Sequence, residues 1–328
     1  MARHPITRRT FLAVASAGAA ALAAGRRACA GEPESPFRFA EQEGGRLLVT
    51  DAHRPVLVYN FGDQLAPGVP ERYRRSCYCH PVPAPDGTVL TDDFPKDHYH
   101  HRGVFWAWPA MKARGKNVQT WHLEGIHQRH ARWNSRTANS EAAVLDVSND
   151  WALGDGERVG SERLLLTVHR ASEMGRAIDF RLTFKAEGGP VELLGAKGKG
   201  YGGLCVRFAP RQDTVITADE GALKKDSDDK TFAWADLSAR FAGAAGVAGA
   251  AVFVHPDNRW KPKGWTIRHY GFLGPSWPGM ETYTLEPGAP VTLRYRVYVH
   301  RGSAEEAGVA KAYAAYASPV EATKGASE

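Results

Sequence analysis

The residues best suited to chemistry lie close together in one segment of the sequence. They are two acids, three histidines, an arginine and two tryptophans: Asp93, Asp97, His98, His100, His101, Arg102, Trp106 and Trp108. Imidazole exchanges protons near neutral pH, guanidinium can hold a pair of oxygens, and indole offers a flat apolar face. We therefore interpret the segment as a sugar site. His100, His101 and Asp93 are its predicted acid–base groups, and Arg102, Trp106 and Trp108 are predicted to bind substrate.

Two other interpretations of the same segment stay open. On a strand, His98 and His100 would share one face while His101 points to the other. His98 and His100, with a nearby carboxylate, could then bind a divalent metal, although the H-x-H spacing is only weakly specific. Alternatively, the segment is a loop whose histidines bond only backbone groups. The sequence indicates no cofactor apart from this metal.

A second stretch rich in histidine follows the first. His122, His127 and His130 surround Glu124, which is a predicted substrate-binding carboxylate. Taken alone, each of these residues is more simply explained as part of the structure. Together with the first segment, they favour a polar pocket lined by aromatic rings.

Two later stretches could complete that pocket. A Gly-rich loop precedes Tyr201 and lacks the spacing of a phosphate loop. Tyr201 and Arg207, which lies on the strand that follows, are predicted to face the pocket. His255, a further predicted catalytic group, and Asn258, a predicted substrate ligand, occupy a polar turn after another strand, and loops at the rim are where sites on β-sandwiches are usually built.

Short strands must position these residues. Residues 178–184 alternate Ile, Phe, Leu and Phe with polar residues, and residues 291–300 alternate in the same way. A period of two indicates strands with one buried and one wet face. Further strands are predicted at residues 46–50, 56–59, 142–147, 163–170 and 204–208, and one helix at 304–317 before Pro319. The pattern predicts an all-β fold, a large antiparallel β-sandwich with a short C-terminal helix.

Residues 1–30 have the layout of a twin-arginine signal peptide. Arg8 and Arg9 precede a short Ala-rich apolar run, and Ala28 and Ala30 form a cleavage site. That run is too short to span a membrane. We therefore expect export to the periplasm or the medium, and a single domain over residues 31–328.

Charge and cysteine content narrow the class further. The net charge is +6, and the signal segment carries five of the arginines, Arg3, Arg8, Arg9, Arg26 and Arg27, so the exported part is close to neutral. With no basic run interleaved with aromatic residues, nucleic acid is not a predicted partner. Cys77, Cys79 and Cys205 would remain after cleavage, either with one disulfide to Cys205 or as three buried thiols.

The motifs LTDDFPKDHYHHRGVFWAW, YGGLCVRFAP, GAAVFVHPDNRW and RYRVYVHRG resemble a family of exported bacterial proteins of unknown function, often labelled "methane oxygenase PmoA". Cys77 and Cys79 depart from the aromatic or aliphatic residues expected there. The resemblance implies a supersandwich similar to galactose mutarotases, sugar epimerases and polysaccharide lyases. It also implies that His101, Arg102 and Gly103 lie in a concave sugar site.

These observations predict an exported carbohydrate-active enzyme, a lyase, hydrolase or epimerase. Its partner would be a small sugar or oligosaccharide. Histidine and arginine suit proton removal from a keto- or uronic sugar better than hydrolysis, which usually needs two carboxylates. The alternatives are a metalloprotein with a histidine site and a non-catalytic carbohydrate-binding protein.

Overall fold

A computed structural model of the chain describes residues 35–318, so the predicted signal peptide lies outside the described residues. The first half of this range contains β1 (Phe37–Gln42), β2 (Arg46–Asp51), β3 (Arg54–Asn60), β4 (Tyr78–Cys79), β5 (Val104–Ala107), β6 (Ala110–Ala113), β7 (Lys116–Val118), β8 (Ile126–Ala138), β9 (Ala142–Leu153), β10 (Arg158–His169) and β11 (Gly175–Ala186). The second half contains β12 (Val191–Leu194), β13 (Gly203–Arg207), β14 (Arg211–Ala218), β15 (Gly221–Leu223), β16 (Trp234–Phe241), β17 (Ala248–Val254), β18 (Gly264–Arg268), β19 (Phe272–Ser276), β20 (Tyr283–Leu285), β21 (Val291–Arg301) and the helix α1 (Val309–Ala317). A short 3-10 turn covers Glu71–Tyr73.

The strands form three antiparallel sheets. One has eight strands in the order β1-β2-β3-β4-β5-β13-β19-β18, and the largest has nine in the order β15-β14-β16-β17-β21-β11-β10-β9-β8. A four-stranded sheet, β20-β12-β6-β7, completes the set. The predicted all-β antiparallel fold with one short C-terminal helix is confirmed.

The main core lies between the two large sheets. Ile178, Phe180, Leu182 and Phe184 of β11 are all buried in it, as their period-two pattern predicts. Burying an aliphatic or aromatic side chain of this size stabilises the fold by about 1.5–3 kcal/mol. Side chains of this kind from many strands fill the space between the two sheets.

A buried carboxylate also joins the two sheets. Glu162 on β10 accepts hydrogen bonds from the indole Nε1 atoms of Trp106 on β5, at 2.8 Å, and of Trp151, at 2.9 Å. The side-chain amides of Gln128 and Asn149 donate to it at 3.1 and 2.9 Å. Four donors satisfy an acceptor that would otherwise be costly to bury.

The eight-stranded sheet carries a second apolar cluster on its outer face. Along β5, Val104 and Trp106 face the main core, whereas Phe105 and Ala107 face outward. The outward residues join Tyr78, Trp121, Cys205 and Phe272 in this cluster. Strand alternation therefore provides an aromatic surface on the side of the sheet that faces away from the core.

The helix is shorter than predicted. It begins at Val309 rather than Ala304, because Gly308 adopts a left-handed conformation with φ of 64° and the preceding residues form turns. Within residues 35–318, no helix has the length and apolarity needed to cross a membrane.

The three cysteines of the described chain are buried free thiols, so the alternative disulfide to Cys205 does not form. Cys79 belongs to the main core, whereas Cys205 belongs to the outer cluster. The sheet itself separates these two sulfur atoms. Burial raises the pKa of each thiol.

Candidate functional site on the outer face of the eight-stranded sheet

The histidine segment is a turn rather than a strand. The backbone N–H of His98 donates to Pro95 O, and that of His101 donates to His98 O, both at 2.9 Å. The strand-based prediction that His101 points away from His98 and His100 is therefore wrong, because a turn does not alternate its side chains. The turn instead brings all three rings to one place.

Four imidazoles form the resulting histidine cluster: His98, His100, His101 and His122. The ring of His100 lies 4.4 Å from that of His101 and 4.2 Å from that of His122, measured between centroids. The His98 and His101 rings are stacked at 4.6 Å. His122 comes from the loop before β8, so residues about twenty positions apart meet in one cluster.

The cluster lines a cavity of about 450 Å³. The cavity is lined by His98, His100, His101, Trp121, His122, Lys199, Tyr201, Thr266, Arg268, Tyr270 and Phe272. The Trp121 ring lies 4.7 Å from that of Tyr201 and 6.1 Å from that of Phe272. Trp121, Tyr201 and Phe272 form what we call the aromatic floor of the cavity. Polar imidazoles therefore lie beside aromatic rings, an arrangement typical of small-molecule sites.

Burial favours the neutral form of three imidazoles of the cluster, His100, His101 and His122. It lowers the pKa of His100 to about 2, with neighbouring His122 and Arg75 acting in the same direction. Burial also lowers the pKa values of His101 and His122. Within the described residues, Nδ1 of His101 has no hydrogen-bond partner. A neutral imidazole has one ring nitrogen that donates and one that accepts a hydrogen bond.

A family model described as "Family of unknown function (DUF6807)" matches residues 46–314, most of the chain and all of the histidine cluster. The chain belongs to this DUF6807 family. The description assigns no activity, and the label "methane oxygenase PmoA" gains no support from it. No curated protein matches the sequence.

Solved structures similar to this DUF6807 chain are distant. A galactose mutarotase-related enzyme of Lactobacillus acidophilus is 9% identical, with 80% of this chain and 97% of that one covered, at a TM-score of 0.37. An aldose epimerase homologue of C. elegans is 9% identical, with 82% and 100% covered, at 0.34. A polysaccharide lyase is 13% identical, and the 82% of this chain that aligns spans only 33% of it, at 0.31. At these scores the likeness carries no argument about activity.

Two predicted site residues of the DUF6807 chain, Arg102 and Asp93, form an ion pair that supports the histidine turn. Arg102 is fully buried, 3.3 Å from Asp93 and with its Cζ 3.2 Å from the ring centroid of Phe94. Asp93 also accepts a hydrogen bond from Tyr78, and burial raises its pKa to about 6. The residues that line the cavity therefore include neither Arg102, the predicted substrate ligand, nor Asp93, a predicted acid–base group.

Arg207 anchors the other end of the same turn. Its Nη2 donates to both carboxylate oxygens of Asp97, at 2.8 and 2.9 Å, and its Cζ lies 4.8 Å from the ring centroid of Tyr270. Arg207 is buried and does not line the cavity. It supports two residues beside the ligand space and is not itself placed to hold substrate as predicted.

The two predicted stacking tryptophans lie in the main core instead. Trp106 is 1% exposed and Trp108 is 0% exposed, so no sugar can reach either ring. The indole of Trp106 donates to Glu162, and that of Trp108 donates to the carbonyl oxygen of Trp277. The prediction chose the wrong face of β5, since alternation turns Phe105 outward and Trp106 inward.

Three further predicted residues are not brought to the cavity. His255 lies just after β17, with its ring 4.9 Å from that of Tyr316 on α1. Asn258 exchanges two hydrogen bonds of 2.9 Å with the backbone of Arg294 and so fixes a turn to β21. Glu124 is exposed and accepts a hydrogen bond from Gln119. His255 and Asn258 therefore belong to other parts of the surface, whereas Glu124 stays near the cluster, where its negative charge acts to raise the pKa of His122.

Of the predicted residues, His98, His100, His101 and Tyr201 do line the cavity. Sequence reasoning missed the wall formed by Thr266, Arg268, Tyr270 and Phe272, which come from β18, β19 and the hairpin between them. The signal was the aromatic pair around Gly271 in the run RHYGF, since glycine between two strand-like stretches marks a hairpin. The sequence of this run does not show that the hairpin pairs with β13 through β19.

The metal interpretation gains no further ligand from the geometry. Within residues 35–318, no group of three or more His, Cys, Asp or Glu side chains is arranged to hold a metal ion. Nδ1 of His98 lies 3.0 Å from a carboxylate oxygen of Asp97, which is itself engaged by Arg207.

Proposed function

We propose that this DUF6807 protein is an exported carbohydrate-active enzyme that moves a proton on a sugar, as lyases and epimerases do. The observation that carries the proposal is the cluster of four touching imidazoles beside an aromatic floor, in a cavity of about 450 Å³. His100 and His101 are its proposed acid–base groups, and His122 joins them.

A sugar suits the cavity in size and in surface. Ligand sites usually enclose about 300–1,000 Å³, and this cavity falls in that range. Tyr270 is 44% exposed and Tyr201 is half-buried, so part of each side chain is accessible to a pyranose. Thr266 and the imidazoles supply hydrogen-bonding groups for hydroxyls. These two tyrosines take the stacking role that the sequence assigned to tryptophan.

The donor set favours proton transfer at carbon over glycoside hydrolysis. Hydrolysis usually needs two carboxylates flanking the bond, and none of the side chains that line the described cavity is a carboxylate. Asp93 and Asp97 each face an arginine instead. A neutral imidazole can remove a proton from carbon next to a carbonyl or carboxylate, and this step defines the proposed reaction class.

Deuterium exchange tests this proposal without knowledge of the final product. The protein is incubated in deuterated water with panels of keto-sugars and uronic acids, and incorporation at carbon is followed by mass spectrometry. We expect incorporation by the wild-type protein and a loss of about 100-fold or more in His100→Gln and His101→Gln. Affinity for the same sugar should stay within a few-fold.

His53→Asn is the matched control. His53 is exposed, away from the cavity, and its φ of 67° suits asparagine. The His53→Asn variant should incorporate deuterium into the sugar at the wild-type rate. Sugar binding without deuterium exchange would indicate a non-catalytic carbohydrate-binding protein instead of an enzyme. Exchange that persists in both histidine variants would show that His100 and His101 do not transfer the proton.

A further inference from the structure

A buried arginine stands behind the aromatic floor of the cavity. Arg75 is 2% exposed, and its Nη2 donates to the carbonyl oxygens of Thr120 and Trp121, the latter at 3.0 Å. Its Cζ lies 5.3 Å from the ring centroid of Phe105. Within the described residues, Nε and Nη1 of Arg75 have no hydrogen-bond partner. Burial lowers its pKa to about 9, which still leaves the guanidinium charged at neutral pH.

Three other arginines around the cavity are matched by carboxylates, and Arg75 is not. The matched pairs are Arg102 with Asp93 at 3.3 Å, Arg207 with Asp97 at 2.8 Å, and Arg268 with Asp228 at 2.6 Å. No described carboxylate forms an ion pair with Arg75 or with Lys199, an exposed residue at the cavity rim. The charges of Arg75 and Lys199 therefore have no carboxylate partner, whereas Arg268, which also lines the cavity, is neutralised by Asp228.

An unmatched buried charge is expensive, because the interior solvates it poorly. Hydrogen bonds to two carbonyl oxygens offset part of this cost at Arg75. A negative charge arriving in the cavity would offset more, since Coulomb attraction is stronger in a poorly solvated site than in water. Arg75 is thus placed to act through Trp121 and Phe105, without touching a ligand.

We propose that the sugar bound here is anionic and carries a carboxylate, with Lys199 contacting that group and Arg75 as an electrostatic positioning residue behind the floor. This inference rests on the proposed function and specifies its substrate class. A carboxylate also fits the proposed chemistry, because it stands next to the carbon that would lose its proton. The unmatched charge of Arg75 stabilises the negative charge that develops there.

Matched pairs of sugars test the inference. The affinities of methyl glucuronide, galacturonide and mannuronide are compared by calorimetry with those of the corresponding methyl hexosides, in which a neutral hydroxymethyl group replaces the carboxylate. At low salt, we expect one uronide to bind at least about tenfold tighter than its neutral partner. Lys199→Gln should weaken uronide binding about three- to tenfold and leave hexoside binding unchanged. Lys197→Gln, exposed on the same loop and outside the cavity lining, should change neither.

Arg75→Met and Arg75→Lys give an independent readout on charge. If both fold, as judged by circular dichroism, Arg75→Met should lose the uronide preference and Arg75→Lys should keep part of it. Neither the wild-type comparison nor Lys199→Gln depends on the stability of these variants.

The outcomes separate this inference from the proposed function. Hexosides that bind as tightly as uronides in all three pairs would overturn the anionic substrate and leave a sugar site in place. Binding of neither class, together with no deuterium exchange on any sugar, would overturn both.

Discussion

At the scale of single residues, the cavity is defined by imidazoles that the fold keeps neutral. Burial acts first on His100 and His101, and the positive charge of Arg75 acts in the same direction. At neutral pH, a neutral imidazole is less costly to bury than a charged one. In acid, the same burial lowers the stability of the folded state, because the unfolded chain can take up protons that the folded chain cannot.

The free energy of unfolding should therefore decrease as pH falls below about 6.5, the ordinary pKa of histidine. The pKa of His100 is lowered to about 2 in the folded state, so between these values protons bind preferentially to the unfolded chain. Each fully neutral histidine contributes a loss of about 1.4 kcal/mol per pH unit. The raised pKa of Asp93, about 6, acts in the opposite direction and offsets part of this slope.

Urea denaturation at several pH values between about 4.5 and 7 measures this slope. His100→Gln should flatten it by about one proton, whereas His53→Asn, at an exposed site, should leave it unchanged. An unchanged slope in His100→Gln would mean that this imidazole titrates normally in the folded protein.

At the scale of elements, the site depends on how the histidine turn meets β5. Gly103 joins the two, and an added Cβ there would meet the carbonyl oxygen of Cys79 and lie 2.9 Å from Cβ of His80. The turn can therefore approach β4 closely only without a side chain at this position. Strand β5 then directs alternate side chains to the outer apolar cluster and to the main core.

Gly103→Ala should destabilise the protein by about 1–3 kcal/mol, because backbone atoms rather than a flexible side chain must move to admit the methyl group. Thermal unfolding measures the change. Gly246→Ala is the matched control, since a Cβ there meets no atom within 4 Å and the backbone is not left-handed. Equal stability of the two variants would contradict this account of the close approach.

Trp106→Phe should separate the two faces of β5. It removes the indole donor to Glu162 and should lower the free energy of unfolding by about 1–3 kcal/mol. Sugar affinity and deuterium exchange should match those of the wild type, since Trp106 faces the core. A change in sugar affinity without a loss of stability would contradict the placement of Trp106 in the core.

At the scale of the whole molecule, the prediction of export remains to be tested. The paired Arg8 and Arg9 and the apolar run after them are specific enough to design the experiment. We expect Arg8→Lys combined with Arg9→Lys to retain the protein in the cytoplasm with residues 1–30 uncleaved. Cell fractionation with immunoblotting measures this. Normal export of the double variant would show that the twin-arginine pathway is not used.

Local pattern determined much of this protein. Period-two runs at residues 178–184 and 291–300 predicted β11 and β21, because each residue on a half-buried strand reports its own face. The density of His98, His100 and His101 marked a segment that lines the cavity. The all-β class also followed from these local signals, as did a helix confined to the tail.

Tertiary structure decided the rest. Which face of β5 meets the core depends on its pairing with β4 and β13. This pairing turns Trp106 toward the main core and Phe105 toward the outer cluster, whereas residue types alone predicted Trp106 at the site. The arrival of His122 and Tyr270 beside the turn depends on loop closure across long stretches of chain. So does the pairing of Asp97 with Arg207. Residue types and local periodicity carry no information about such contacts, because they are set by the packing of sheets whose strands are distant in sequence.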